Sequence, residues 1–273
     1  MRKQRTSGEF IQVNGTRLYC AVTGAEKAPA VVFVHGFSLD TRMWDGQVEA
    51  FSTRYRVVRY DLRGFGQSAV PEAGVPYQHD EDLVGLLDAL GIEPAVLVGL
   101  SMGGAVALNV VLRHPERVSA LVLAASLLPG FETPEFDGIT RPIWTAGRIS
   151  GADAARALWV DCAIFAVINE QRGPREVLRA IVSDYSGWGW TERDPGAWAE
   201  PDSVAQLDRI DAPTLVVAGE RDIDDMRRMA DTLASSIPGA RKVIMPGLGH
   251  LPNMEDAEAF NSAVLDFLIV MRL

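Results

Sequence analysis

Short apolar runs alternating with amphipathic helical stretches between residues 30 and 125 predict an α/β fold built on a doubly wound, mostly parallel sheet. Two further observations agree. The apolar runs are continuous, the pattern of strands covered on both faces. One of them, at residues 95–100, stops at a serine bracketed by glycines and opens at once into a helical pattern, giving strand, sharp turn and helix in succession.

The 273 residues are 48% hydrophobic, enough for a sizeable core in one large domain or two small ones. A formal net charge of −10, with no basic stripe, argues against a nucleic-acid partner. The basic start at residues 1–8 has no apolar stretch after it, and no later apolar run reaches membrane-spanning length. A cytoplasmic location without membrane association is therefore expected. Cys20 and Cys162 stand too far apart in sequence for a disulfide framework or a metal cluster, and read as buried small hydrophobes.

Residues 9–23 alternate, with Phe10, Val13, Leu18, Tyr19 and Val22 about an Asn14-Gly15 turn signal, and read as an antiparallel hairpin at a sheet edge. Residues 29–34 form a buried strand that ends in His35-Gly36-Phe37-Ser38. Met43, Trp44, Val48 and Phe51 fall at helical spacing and predict a crossover helix over 42–53. A strand over 55–60 then leads to the loop Asp61-Leu62-Arg63-Gly64-Phe65-Gly66-Gln67-Ser68. Its glycines do not open a helix after the first strand, so they are no dinucleotide fingerprint. Residues 79–90 form an amphipathic helix with Leu83, Leu86, Leu87 and Leu90 on one face and Gly91 as its stop.

The strand at 95–100 delivers Ser101 to a bend. Strand folding back into helix presses together the residues two places either side of the bend, which favours Gly99 and Gly103. The bend turns the Ser101 hydroxyl outward and leaves the first N–H groups of the helix, notably that of Met102, where a negative charge can be held. This Gly99-Leu100-Ser101-Met102-Gly103 arrangement resembles the nucleophile elbow of the α/β-hydrolase family. The resemblance implies the α/β-hydrolase fold, an eight-stranded mostly parallel sheet flanked by helices, with a helical cap inserted after strand 6. It also gives roles to earlier motifs. In that family the residue after a His-Gly pair donates a backbone N–H to the oxyanion hole, here Phe37, and His35 is expected to buttress the loop by hydrogen bonding. A D-x-R-G-x-G-x-S loop is chiefly architectural there, so Asp61 and Arg63 are expected to tie their loop together.

His114-Pro115 ends the elbow helix, and residues 118–125 form another buried strand. The character then changes. Residues 127–208 mix Pro, Gly and charge with short helical patterns over 152–164 and 174–182. They also hold five of the six tryptophans: Trp144, Trp159, Trp188, Trp190 and Trp198. By the resemblance residues 127–208 are the cap, and residues 1–126 with 209–273 are the core domain. Any single indole is expected to pack inside the cap, while the number of them suggests that some line an apolar pocket.

Residues 212–219 resume the core as a strand and run into Glu220-Arg221-Asp222. The family keeps its triad acid in this loop, commonly as G-x-x-D, which Gly219 to Asp222 matches. Asp222 is preferred, with Glu220 the more remote alternative. Asp224 and Asp225 read as the cap and first turn of a helix running to residue 235. A strand over 241–245 leads to Pro246-Gly247-Leu248-Gly249-His250, where the family keeps its general base. A closing helix over 254–271 takes Asn253 as N-cap. Of the four histidines, His79 opens a helix, His114 closes one, and His250 alone follows the acid on a strand-end loop.

The resemblance thus implies a serine hydrolase in which Ser101 attacks, His250 moves the proton, Asp222 orients His250, and the N–H groups of Phe37 and Met102 hold the oxyanion. No cofactor and no metal is required. Over its whole length the chain is similar to a bacterial branch of serine esterases, enol-lactonases and cofactor-free haloperoxidases. The expected partner is a small-molecule ester of small to medium apolar character, cleaved through an acyl-enzyme. A lactonase is the nearest rival, with a perhydrolase and a carbon–carbon bond hydrolase as further alternatives. Serine at the elbow excludes the alkyl-ester intermediate that aspartate forms in haloalkane dehalogenases and epoxide hydrolases of this fold. A non-enzyme alternative is a ligand receptor retaining the triad, whose sign is near single-turnover hydrolysis with tight product retention.

Overall fold

The computed structural model describes residues 8–192, 194, 196 and 203–273. Residues 1–7, with most of the basic start, and Trp198 lie outside them. Eight strands form one sheet: β1 (Glu9–Val13), β2 (Thr16–Thr23), β3 (Ala30–Val34), β4 (Arg56–Tyr60), β5 (Ala95–Leu100), β6 (Val118–Ala124), β7 (Thr214–Gly219) and β8 (Arg241–Met245). Their order is β1-β2-β4-β3-β5-β6-β7-β8. β2 runs antiparallel to both β1 and β4, and every pairing from β4 to β8 is parallel. Every residue of β3, β5 and β7 is buried, as their unbroken apolar runs require. At the hairpin tip Asn14 and Gly15 both take positive φ, 43° and 71°, the backbone of a two-residue turn that matches strand twist.

The helices of the core are α1 (Asp45–Ser52), α2 (His79–Leu90) and α3 (Met102–Arg113). Between β6 and β7 come α4 (Pro134–Ser150), α5 (Ala152–Trp159), α6 (Ala166–Glu170), α7 (Arg172–Asp184) and α8 (Trp188–Thr191). The chain closes with α9 (Asp224–Ser236), α10 (Pro252–Glu255) and α11 (Ala257–Met271). Among the described residues no helix is long and apolar enough to cross a membrane. Buried side chains of the insert, including Ile143, Trp159 and Trp190, belong to the same apolar cluster as the sheet.

Three local expectations need correction. The first crossover begins as a 3-10 turn over Thr41–Trp44, capped by the Asp40 side chain, before α1 starts. The closing helix is broken in two, and Asn253 caps neither piece. Asn253 is buried and donates its side-chain amide to Met43 O at 2.9 Å, while Asp256 caps α11 by accepting from Ala259 N–H at 3.0 Å. Cys20 is fully buried as expected, but Cys162 is only half-buried. A whole helix was also illegible: Gly138, Pro142 and Gly147 punctuate α4, yet its face of Thr140, Ile143 and Gly147 is buried.

Candidate active site

Ser101 stands between β5 and α3 with φ 54° and ψ −117°, a strained backbone for any residue with a Cβ. Its surroundings fix it. The Ser101 N–H donates to Ala124 O at 3.0 Å, and its carbonyl accepts from Gly104 and Leu127 N–H at 2.9 and 3.1 Å. A Cβ on Gly99 would lie 2.3 Å from Gly103 O, the close approach expected across the bend. Gly103 is tighter still against the end of β3, where a Cβ would lie 2.2 Å from Val34 O. Met102 is the first residue of α3, so its N–H has no acceptor within the helix.

Asp222 and His250 meet from the ends of β7 and β8. His250 Nδ1 and Asp222 Oδ2 are 2.9 Å apart and both residues are buried. A carboxylate at Nδ1 selects the tautomer with the proton there and leaves Nε2 free to accept one. The other Asp222 oxygen accepts from Ile223 N–H at 2.8 Å, which fixes the carboxylate's rotation. Two glycines permit the meeting, since a Cβ on Gly219 would lie 2.1 Å from Gly249 O.

The rival carboxylates go elsewhere. Glu220 accepts from Gly247 N–H at 2.8 Å. Asp224 and Asp225 sit in the first turn of α9, whose N-cap position is Ile223, not an aspartate. Asp225 is also engaged across the molecule: its Oδ2 accepts from Glu135 and Phe136 N–H at 2.8 and 2.9 Å, capping α4, while Glu135 Oε2 accepts from Asp224 N–H at 2.7 Å. A brace that sequence reasoning missed is Glu255. Its carboxylate accepts from Gly249 N–H at 2.5 Å and Leu251 N–H at 3.1 Å, gripping both sides of His250, and burial pushes its pKa up. No local pattern marks it.

Ser101, His250, Phe37 and Met102 all line one cavity of about 240 Å³. Its walls are largely aromatic, including Phe65, Phe136, Trp144, Trp159, Phe165 and Trp188. Of the expected indoles, Trp190 is instead fully buried in the packing behind them. A larger, open groove of about 940 Å³ runs past Arg17, Arg63 and Tyr77 and contains neither Ser101 nor His250.

His35 and Asp61 follow their expected roles, while Arg63 bonds to α2 and the hairpin and not within its own loop. His35 is fully buried. Its Nδ1 donates to Gly36 O at 2.8 Å and its Nε2 accepts from Leu62 N–H at 2.9 Å, and burial lowers its pKa to about 4. Asp61 accepts from Thr41 and Gln67 N–H, both at 2.8 Å. Arg63 reaches beyond its loop: it makes a two-pronged bond to Asp82 on α2, at 2.8 and 2.7 Å, and donates to Asn14 O at 3.1 Å.

A model of the alpha/beta hydrolase family matches residues 31–263. Among curated proteins, 3-oxoadipate enol-lactonase 1 of Acinetobacter baylyi is 29% identical over 90% of this chain and 91% of its own length. The crystal structure of the enol-lactonase from Burkholderia xenovorans superposes with a TM-score of 0.83 at 29% identity, covering 96% of this chain and 100% of that one. A thermophilic esterase from Thermogutta terrifontis gives 0.79 at 28% identity, covering 97% and 99%. With the family model spanning most of its length, and with this strand order and this serine elbow, the chain belongs to the alpha/beta hydrolase family.

Proposed function

We propose that the chain is a carboxylic-ester hydrolase with Ser101 as nucleophile, His250 as general base and acid, and Asp222 as the group that orients and stabilises His250. The observation that carries this reading is the 2.9 Å pairing of His250 Nδ1 with Asp222 Oδ2, with His250 on the same cavity wall as Ser101. His250 Nε2 takes the hydroxyl proton as Ser101 Oγ bonds to the ester carbon, and the carbonyl electrons move onto oxygen. The N–H groups of Phe37 and Met102 receive that negative charge, and losing one such donor costs about 3 kcal/mol of activation energy. Collapse expels the alkoxide, which takes the proton from His250 and leaves an acyl-serine. Water then repeats the sequence, with His250 accepting its proton and returning it to Ser101 as the acid departs.

Residues 127–208 act as the cap. The aromatic walls favour an apolar substrate, and a volume of about 240 Å³ is small beside the roughly 300–1,000 Å³ of ordinary small-molecule clefts, which favours short acyl chains. A lactone is the second reading, supported by the similarity to two enol-lactonases, because an internal ester uses the same groups. Treatment with a fluorophosphonate followed by peptide mapping tests the nucleophile: modification of Ser101 is expected, and labelling elsewhere or nowhere overturns the reading. Turnover of p-nitrophenyl acetate and butyrate against a panel of lactones then separates ester from lactone. Lactone turnover with negligible acyl-ester turnover makes the chain a lactonase first and an esterase second.

A further inference from the structure

The turn that carries Phe37 is held from outside its own part of the sheet. Leu39 N–H closes it on Gly36 O at 3.2 Å, and within it Ser38 adopts φ 62°, a conformation disfavoured for a residue with a Cβ. Ser38 is 1% exposed, and its hydroxyl accepts a 2.6 Å hydrogen bond from Nε1 of Trp159, the last residue of α5. The bond satisfies a donor and an acceptor that are both out of water, so it binds the two partners together. The ring of Phe37 is clamped by the same insert, with the centroids of Trp144, Trp159, Tyr185 and Trp190 between 5.1 and 5.9 Å away. Phe65 completes the enclosure at 5.5 Å. Backbone and side chain of Phe37 are thus both anchored to the helices between β6 and β7.

We infer that Ser38 and Trp159 are positioning residues: through their hydrogen bond the insert fixes the turn at residues 36–39 so that the Phe37 N–H points at the charge developing on the acyl oxygen. The inference rests on the reading of Phe37 as an oxyanion donor. A donor stabilises the transition state fully only when its direction is set before the charge appears. Ser38 is not among the described residues lining the cavity, so its effect on the reaction runs through Phe37. The insert then contributes to rate as well as to the shape of the cavity.

Ser38→Ala and Ser38→Gly remove the acceptor, the second without strain because glycine takes positive φ readily. Trp159→Phe removes the donor and keeps a ring. With p-nitrophenyl butyrate each variant is expected to lower kcat about tenfold to a hundredfold, with KM within about threefold of wild type for the two Ser38 variants, which leave the cavity wall unchanged. The Ser38→Gly/Trp159→Phe double variant should lose about as much as the more impaired single variant, because both changes remove one interaction. An aryl trifluoromethyl ketone gives the discriminating readout, since Ser101 Oγ adds to its carbonyl carbon and its oxygen becomes the anion. In the two Ser38 variants, at a residue outside the cavity lining, its affinity should fall by the same factor as kcat/KM, while a non-reacting amide analogue binds as it does to wild type.

Folded variants with unchanged kcat and ketone affinity overturn the inference. So do Ser38 variants that lose ketone and amide binding in equal measure, the mark of altered packing alone. Ester turnover that Ser101→Ala abolishes keeps the hydrolase reading standing in either case. Turnover that Ser101→Ala leaves intact overturns that reading and this inference together.

Discussion

In the proposed reaction His250 and Asp222 act through their mutual orientation, which a single amide substitution tests. Asn at 222 fills the same space but cannot balance an imidazolium, and its NH2 group facing Nδ1 favours the wrong tautomer. Asp222→Asn is therefore expected to leave the fold intact and lower kcat by about three to four orders of magnitude. A loss below about tenfold in steady-state ester hydrolysis removes Asp222 from the proposed triad. His35 makes a different kind of prediction. Burial keeps it neutral in the fold down to about pH 4, whereas the unfolded chain takes up the proton from its ordinary value near 6.5. The stability it contributes is complete above pH 6.5 and is lost as pH falls toward 4, about 3 kcal/mol in all by linkage. The difference in urea midpoint between wild type and His35→Gln should be widest at pH 7 and shrink toward pH 4.5; a difference independent of pH contradicts the linkage. The placement of Ser101, Asp222 and His250 after the ends of β5, β7 and β8, and the meeting of the last two, were legible because the family resemblance supplies that order. Glu255 and Ser38 were not, because a carboxylate gripping a loop and a hydroxyl meeting a distant indole are set by tertiary contacts alone.

Elements in this fold are positioned by backbones that touch, and the glycines report where. At Gly103 the added carbon of an alanine would meet Val34 O at 2.2 Å and His35 O at 2.6 Å, so α3 must lift from β3 and carry Ser101 with it. Gly103→Ala should cost several kcal/mol, in the range of overpacked cores, and lower kcat in whatever protein still folds. Gly138 in α4 meets nothing within 4 Å, and Gly138→Ala is expected to stabilise by about 0.5–1 kcal/mol through helix propensity. Thermal unfolding of the two variants should move in opposite directions, and equal shifts contradict the assignment of close approach. The core strands and α2 were readable from period and punctuation. α4 was not, because its proline and glycines imitate a loop and its N-terminal cap comes from Asp225, about ninety residues away.

For the molecule as a whole, the proposed function has the sheet set the reactive groups and the insert between β6 and β7 set what reaches them. That a helical segment would follow β6 was legible from short helical patterns and from the family resemblance, but which tryptophans face the cavity depended on how α4, α5 and α8 turn, and periodicity over such short helices does not settle it. Trp144, Trp159 and Trp188 line it, and Trp190 does not. Trp188 is the one that separates size selection from packing. It is only half-buried, so its truncation widens the cavity with little cost to the core, whereas Trp159 also holds the Phe37 turn. In wild type, kcat/KM is expected to be highest for p-nitrophenyl acetate or butyrate and to fall by about a hundredfold or more by the decanoate, whose added methylenes exceed the available volume. Trp188→Ala should move that optimum to longer chains while changing the rate on acetate by less than about threefold, since the groups around Ser101 are untouched. An unchanged chain-length profile, measured at equal folded fraction, means that the indole of Trp188 does not bound the acyl site and that the limit on substrate length is set elsewhere on the wall, among Trp144, Phe136 and Phe165.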